Sequence, residues 1–136
     1  MRKLLFMFLM CSNTTWIFAQ SNWQTLNFNQ TFDFVNMHCY GIDSFVVIGH
    51  NGELIKSFDG GNTNTFINSS KLFYKVFFLN KDTGFVTNGL GSVLKTVNGG
   101  INWVTKTTCT CAITGLQFAD DNIHGVMAGI GNVRYT

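Results

Sequence analysis

Residues 57–63 read SFDGGNT, and 39 positions later residues 96–103 read TVNGGINW. Both stretches place a hydroxyl residue two positions before an Asp or Asn, and two consecutive glycines follow. An Asx side chain accepts hydrogen bonds from backbone N–H groups of a turn, and glycine supplies the positive φ that a tight hairpin needs. We therefore expect two equivalent hairpin turns, with the rest of the chain spaced around them.

The two turns belong to a longer repeat, because residues 35–64 align with residues 74–103 without a gap. The identities fall at turns and strand starts, where backbone geometry restricts the residue type. They are Asp43 with Asp82, Val47 with Val86, Gly52 with Gly91, Lys56 with Lys95, and Gly60 and Gly61 with Gly99 and Gly100. A third copy begins at residue 116 and reaches Thr136, which stands at the hydroxyl position of a third turn.

The composition is that of a β protein, with 14 Phe, 14 Gly and no Pro among 136 residues. Short runs of β-forming residues are bounded by Gly, Asn or Asp, and no apolar pattern of helical period persists. The second copy can be written as four strands at 74–79, 84–88, 92–96 and 103–106. Four strands in a period of about 40 residues predict an all-β fold of β-propeller blades, about two and a half to three four-stranded antiparallel blades of an incomplete propeller.

The turns resemble the Asp-box, or BNR repeat, which has the form S/T-x-D-x-G-x-x-W/F. The longer unit is similar to the repeats of photosystem II assembly and stability factor-like proteins. The resemblance implies a β-propeller with each box at the hairpin between the outer two strands of a blade. It implies a structural role in these turns for Ser57, Asp59, Gly60, Gly61, Thr96, Asn98, Gly99, Gly100 and Trp103.

Two positions depart from the box pattern. Asn64 stands where the first box should have its aromatic residue. Another side chain must therefore supply the packing between blades at the first turn, and Phe66 is the candidate. Asn98 replaces the Asp of the second box. Its amide oxygen still accepts hydrogen bonds, but without the assistance of a charge.

The sequence contains no recognisable catalytic constellation. Asp-boxes occur in sialidases, xyloglucanases, sorting receptors and assembly factors, so the resemblance indicates the fold more strongly than the function. A sialidase would need three arginines, a tyrosine nucleophile and a carboxylate pair, and Arg134 is the one arginine after residue 19. We interpret Asp59 as a turn residue and Asp120-Asp121 as a solvated turn, and predict no catalytic residue, cofactor or metal site.

The expected function is therefore that of a non-enzymatic β-propeller scaffold that binds or assembles protein or glycan through the loops at the blade edges. The alternative is an N-terminal fragment of a secreted glycosidase-like propeller whose catalytic residues lie in missing blades. Assembly of a photosystem rests on the family resemblance alone, and the neutral charge of the chain after residue 19 does not favour it.

Residues 1–19 predict a cleavable signal peptide, with two basic residues, an apolar run and a small residue at the end. A membrane anchor needs about 20 continuous apolar residues, and polar residues at 12–15 interrupt this run. We expect cleavage before Gln20, a propeller domain at 20–136, a secreted or cell-envelope location and no membrane span after cleavage. The leader carries the net charge of +2, so the mature part lacks the basic surface of a nucleic-acid binder.

Three cysteines remain after cleavage, which are Cys39, Cys109 and Cys111. An odd number in an exported protein leaves at least one thiol free or paired with another chain. The spacing Cys-Thr-Cys is neither a CxxC motif nor a zinc-site spacing. We expect either small, half-buried thiols near a strand start or a disulfide from Cys39 to Cys109 or Cys111.

A closed propeller ring needs at least about four blades, or about 160 residues at this period. The missing blades would lie in a longer chain, or several short chains would assemble into one ring. The end of the sequence inside a strand favours the longer chain. Trp23 stands where a box aromatic would precede the first copy, which suggests that the N-terminal segment supplies an outer strand.

Overall fold

The computed structural model describes residues 25–119 and 124–135. The predicted leader, Trp23, the Asp120-Asp121 pair and Thr136 lie outside the described residues. The described part consists of β-strands joined by turns and loops, without a helix. The strands are β1 (Phe34–Cys39), β2 (Phe45–Gly49), β3 (Glu53–Ser57), β4 (Thr65–Asn68), β5 (Lys75–Phe78), β6 (Gly84–Thr87), β7 (Ser92–Thr96), β8 (Val104–Thr108), β9 (Ile113–Phe118), β10 (Gly125–Gly129) and β11 (Asn132–Tyr135).

The strands form three antiparallel sheets in chain order. We call β1 to β4 the first blade, β5 to β8 the second blade, and β9 to β11 the third blade; within each blade every strand pairs with the strand that follows it. The strands of the second blade begin and end within two residues of the predicted positions. The prediction of an all-β fold of β-propeller blades is confirmed.

Backbone hydrogen bonds in the loops repeat with the period of the sequence. The N–H of Gly60 donates to the carbonyl of Asp43 at 2.9 Å, and the N–H of Gly99 donates to the carbonyl of Asp82 at 2.8 Å. Both bonds tie the first loop of a blade to the turn between its third and fourth strands. The turns and these loops therefore lie at the same end of each blade.

The inner strands β1 and β5 lie side by side and are joined by side chains of β1. The Oδ1 atom of Asn36 accepts a hydrogen bond from the N–H of Val76 at 3.2 Å, and Nδ1 of His38 accepts one from the N–H of Phe78 at 3.1 Å. These N–H groups belong to an edge strand, which would otherwise present unpaired donors. Burial lowers the pKa of His38, which favours the neutral imidazole that this acceptor role requires.

A hydrophobic core fills the space between the first and second blades. The first blade contributes side chains from β2 and β3, and the second contributes side chains from β5, β6 and β7 together with Phe73 and Trp103, which lie just before β5 and β8. Each is at most 8% exposed, and they are Val46, Ile48, Leu54, Phe73, Val76, Phe78, Val86, Leu94 and Trp103. Burial of apolar surface on this scale is the main force that holds the two sheets together.

Trp103 is the aromatic residue that closes this core at the end of the second turn. Its ring centroid lies 5.3 Å from that of Phe73 and 6.3 Å from that of Phe78. At the equivalent position of the first turn, Asn64 is exposed. Phe66, two residues further on, lies beside Phe32 of the segment before β1 with a centroid distance of 5.9 Å and is 41% exposed. Packing of Phe66 between two blades stays a prediction.

We predict that Trp103→Ala lowers the free energy of unfolding by about 3–5 kcal/mol, because it leaves a large cavity between two blades. Trp103→Phe should cost much less, since the indole Nε1 is buried without a hydrogen-bond partner in the described part of the chain. Urea denaturation followed by circular dichroism measures both values. The matched control is Asn64→Ala at the equivalent exposed position, which should change stability by less than about 0.5 kcal/mol. Equal destabilisation by the Trp103→Ala and Asn64→Ala variants would contradict this account.

Candidate functional site

The first turn, residues 57–63, is held by the side chains of Ser57 and Asp59. The hydroxyl of Ser57 accepts a hydrogen bond from the N–H of Gly61 at 2.8 Å and donates to Oδ1 of Asp59 at 2.8 Å. The Asp59 carboxylate accepts the N–H of Thr63 at 2.9 and 3.0 Å and its hydroxyl at 2.6 Å. Gly60 and Gly61 have φ values of +70° and +98°. The carboxylate is thus engaged within its own turn.

The second turn, residues 96–102, repeats this arrangement. The hydroxyl of Thr96 accepts the N–H of Gly100 at 2.9 Å and donates to Oδ1 of Asn98 at 3.0 Å, and the same amide oxygen accepts the N–H of Asn102 at 2.9 Å. Gly99 and Gly100 have positive φ values of +69° and +96°. The two turns differ in charge, because a neutral amide takes the position of the carboxylate.

The hydrogen bonds of the first turn have an electrostatic effect on Asp59. Donation by the side chain and backbone of Thr63, and then by the hydroxyl of Ser57, lowers the pKa of Asp59 to about 2. Hydrogen bonds to the charged form favour that form. Asp59 is therefore an ionised turn residue at neutral pH, with its acceptor positions occupied by its own turn.

Lys56 links the first blade to the second turn. It is only 8% exposed, and its Nζ donates to the carbonyl of Lys81 at 3.4 Å. The same Nζ lies close to Gly99, where glycine is required because of its positive φ. Burial lowers the pKa of Lys56, and the negative charge of Asp82 opposes that effect.

The cysteines do not pair as the sequence suggested. The structure joins Cys109 to Cys111, whose Cα atoms are 5.3 Å apart, and leaves Cys39 as an exposed free thiol. The expected disulfide from Cys39 to Cys109 or Cys111 is therefore wrong. Cys39 ends the inner strand β1, whereas the other two cysteines lie side by side in the connection from β8 to β9.

Four large apolar side chains are exposed at the end of the blades that carries the two turns. Ile42 lies in the loop after β1, Phe58 in the first turn, and Val97 and Ile101 in the second, with exposed fractions of 101%, 47%, 69% and 63%. We call these four residues the turn face. Sequence analysis missed them, although an apolar residue follows the hydroxyl residue in both turns and gave a signal.

A cleft of about 550 Å³ opens between the second and third blades. We call it the open cleft. Its floor is apolar and is formed by Leu79, Phe85, Val93, Leu116, Phe118 and Met127. Its rim carries the three cationic side chains Lys95, Lys106 and Arg134. This cleft could not be predicted from the sequence, because its lining residues come from two different repeats.

The described residues hold no group of three or more His, Cys, Asp or Glu side chains arranged to bind a metal ion. They also contain no helix that is long and apolar enough to cross a membrane.

We predict that the free energy of unfolding falls as the pH drops from about 4 towards 2, because Asp59 binds its proton more readily in the unfolded chain. The stabilisation by the ionised carboxylate is complete above the ordinary pKa of an Asp side chain. It is lost as the pH falls through the lowered pKa of Asp59. Asp59→Asn should keep the turn, as Asn98 does in the second, and remove this pH dependence. NMR titration of the Asp59 carboxyl carbon measures the pKa directly, and Asn98→Asp should introduce a second low value. An ordinary Asp pKa at position 59 would contradict the hydrogen-bonding scheme.

No protein-family profile matches the chain, and no curated protein sequence matches it. A solved structure of YCF48 bound to D1 peptide is similar to it, with a TM-score of 0.55 and 12% sequence identity. The match covers 82% of this chain and 43% of that chain, so the matched region is less than half of that chain. At this identity the likeness concerns the fold alone, which is that of a partial β-propeller.

Proposed function

We propose that this chain is an exported, non-enzymatic β-propeller scaffold that binds a protein partner through the turn face. The single observation that carries this proposal is the exposure of Ile42, Phe58, Val97 and Ile101 at one end of the blades. Apolar side chains that remain exposed together at one end of a folded domain are typical of protein interaction sites. Singly exposed ones would need no such explanation.

The rigidity of the turns supports this proposal. Val97 and Ile101 lie in a turn in which the Thr96 hydroxyl accepts the N–H of Gly100 and the Asn98 amide oxygen accepts the Thr96 hydroxyl and the N–H of Asn102. Phe58 lies in the equivalent turn of the first blade. A surface held in one conformation loses less conformational entropy on binding than a mobile loop does. The turns thus supply a preorganised apolar surface to a partner.

The likeness to YCF48 adds support of a second kind. That protein has a β-propeller fold and is bound to a D1 peptide in its structure. A peptide is a protein ligand, so we favour a protein segment as the partner of the turn face. The glycan partner, and the glycosidase-like fragment as an alternative, stay predictions from the sequence that no observation of the site favours.

The turn face can be tested with a peptide library displayed on phage and selected against the purified chain. We expect enriched peptides rich in apolar residues, and we expect Val97→Asp with Ile101→Asp to weaken their binding at least about tenfold, the effect of about 1.4 kcal/mol. The matched control is Leu90→Asp, which changes an exposed residue in the turn between β6 and β7. Absence of enrichment, or equal loss in the control variant, would contradict binding at this face.

Export has its own test. Expression of the full sequence in a secreting host should release a chain whose first residue is Gln20, because the leader ends in the small residue Ala19. Mass spectrometry of the released protein measures the mature N-terminus. Retention of the whole sequence in the cell would contradict the proposal of export.

A further inference from the structure

We propose that the disulfide between Cys109 and Cys111 is a thiol–disulfide exchange site, which oxidises the thiols of a substrate while the chain stays folded. The site lies in the connection from β8 to β9. It is separate from the turn face, because β8 leads away from the turn that carries Val97 and Ile101. Four observations support the proposal: a counterpart without cysteines, the length of the closed loop, the exposure of the connection, and the groups around the sulfur atoms.

The same connection in the first blade is built without a disulfide. Residues 69–71 read SSK and stand 40 positions before residues 109–111, which read CTC. The N–H of the first residue of each segment donates to a glycine carbonyl, at 2.9 Å to Gly52 and at 2.8 Å to Gly91. Both glycines have positive φ values, +91° and +85°. The connection thus has the same anchoring hydrogen bond with or without cysteines, and the fold does not need the disulfide.

The loop that the disulfide closes is very short. A disulfide stabilises a fold mainly by restricting the unfolded chain, and the effect grows with the number of residues in the closed loop. This bond closes a loop across Thr110 alone, so it restricts the unfolded chain little. By linkage, the fold protects a disulfide from reduction only as much as the disulfide stabilises the fold. We therefore expect reduction without unfolding.

The connection is open to an attacking thiol. Cys109 and Cys111 are half-buried, and Thr110 between them is exposed. In the first blade, Ser70 and Lys71 of the equivalent connection are exposed although two further blades follow along the chain. Blades that follow a connection therefore do not cover it, and the disulfide is accessible on the folded chain.

The groups around the sulfur atoms favour a thiolate. Arg134 lines the same small cavity as Cys109 and Cys111. The backbone N–H of Cys111 points to Sγ of Cys109 at 3.4 Å. A neighbouring guanidinium group and an N–H donor both stabilise a negatively charged sulfur. Cys109 is therefore the sulfur that is better able to leave as a thiolate when the disulfide is attacked.

The exchange consists of two steps. A substrate thiolate attacks Sγ of Cys111 and forms a new S–S bond with it, while the bond to Cys109 breaks and its electron pair stays on Sγ of Cys109. A second substrate thiolate then attacks the substrate sulfur of this mixed disulfide, and Cys111 leaves as a thiolate. The two cysteines take up the two protons that the substrate thiols lost. Two substrate thiols are thereby oxidised to a disulfide, and the two cysteines are reduced.

The reduction can be measured in mixtures of reduced and oxidised glutathione, followed by alkylation and mass spectrometry of the peptide that contains residues 109–111. We expect reduction at millimolar reduced glutathione, which structural disulfides resist. Reduction should lower the melting temperature by no more than about 4 °C, because the equivalent connection of the first blade folds without a disulfide. The Cys109→Ser, Cys111→Ser double variant should melt at the temperature of the reduced chain.

The rate of exchange tests the role of the guanidinium group. Arg134→Gln should slow the reaction with glutathione at least about threefold, because the leaving thiolate loses a neighbouring cation. The matched control is Lys71→Gln, which removes a cation from the equivalent connection of the first blade and should leave the rate unchanged. A synthetic peptide with two cysteines serves as a second substrate. Disulfide formation within it assigns protein thiols as substrates, whereas reaction with glutathione alone limits the substrate to small thiols.

Three results would overturn the proposal. The first is resistance of the disulfide to glutathione until the chain unfolds, since the bond would then be part of the fold. The second is a large drop in the melting temperature of the double cysteine variant. The third is a rate of exchange in the Arg134→Gln variant equal to that of the unchanged chain, which would contradict stabilisation of the thiolate.

Discussion

The backbone N–H of Gly100 donates a hydrogen bond to the buried hydroxyl of Thr96, and the packing of the second blade onto the first depends on this contact. The bond fixes a turn in which two glycines have positive φ, and the turn delivers Trp103 into the core between the blades. This hydrogen bond contributes a modest net free energy of folding, but it positions the Trp103 side chain. The burial of that side chain contributes several times as much to the free energy of folding. The same contact between Ser57 and Gly61 organises the first blade.

The two turns show which parts of the repeat are interchangeable. Asp59 and Asn98 both accept hydrogen bonds within their turns, so the geometry tolerates loss of the negative charge. The aromatic position is not shared, because Trp103 is buried between the blades whereas Asn64 is exposed at the equivalent position. The hydroxyl residue and the second glycine are present in both turns, and both serve the same hydrogen bond. They are the positions on which the repeat relies most.

The sequence was sufficient to predict the blades because the local signals agree with one another. Paired glycines mark the two turns, because these turns need positive φ angles; they are Gly60, Gly61, Gly99 and Gly100. The apolar runs between the turns match the length of β-strands. The prediction was wrong for Cys39, because disulfide pairing depends on which thiols the fold brings together. The exposure of Val97 and Ile101 was missed as well, since both are as apolar as core residues and the folded turn shows that they face solvent. The one signal in the sequence was the apolar residue that follows the hydroxyl residue in both turns. The open cleft joins side chains from separate repeats, which no single repeat reveals.

The central claim is that the buried hydroxyl of each turn positions the packing between blades, and a double-mutant cycle of Thr96→Val and Trp103→Ala tests it most directly. Thr96→Val keeps the shape of the side chain but leaves the N–H of Gly100 without its acceptor, so it should lower the free energy of unfolding by about 1–3 kcal/mol. If the turn positions the tryptophan, the two changes are not additive and their coupling energy exceeds about 0.5 kcal/mol. Additive effects, or an unchanged stability in Thr96→Val, would show that the tryptophan packs independently of the turn and would contradict the account.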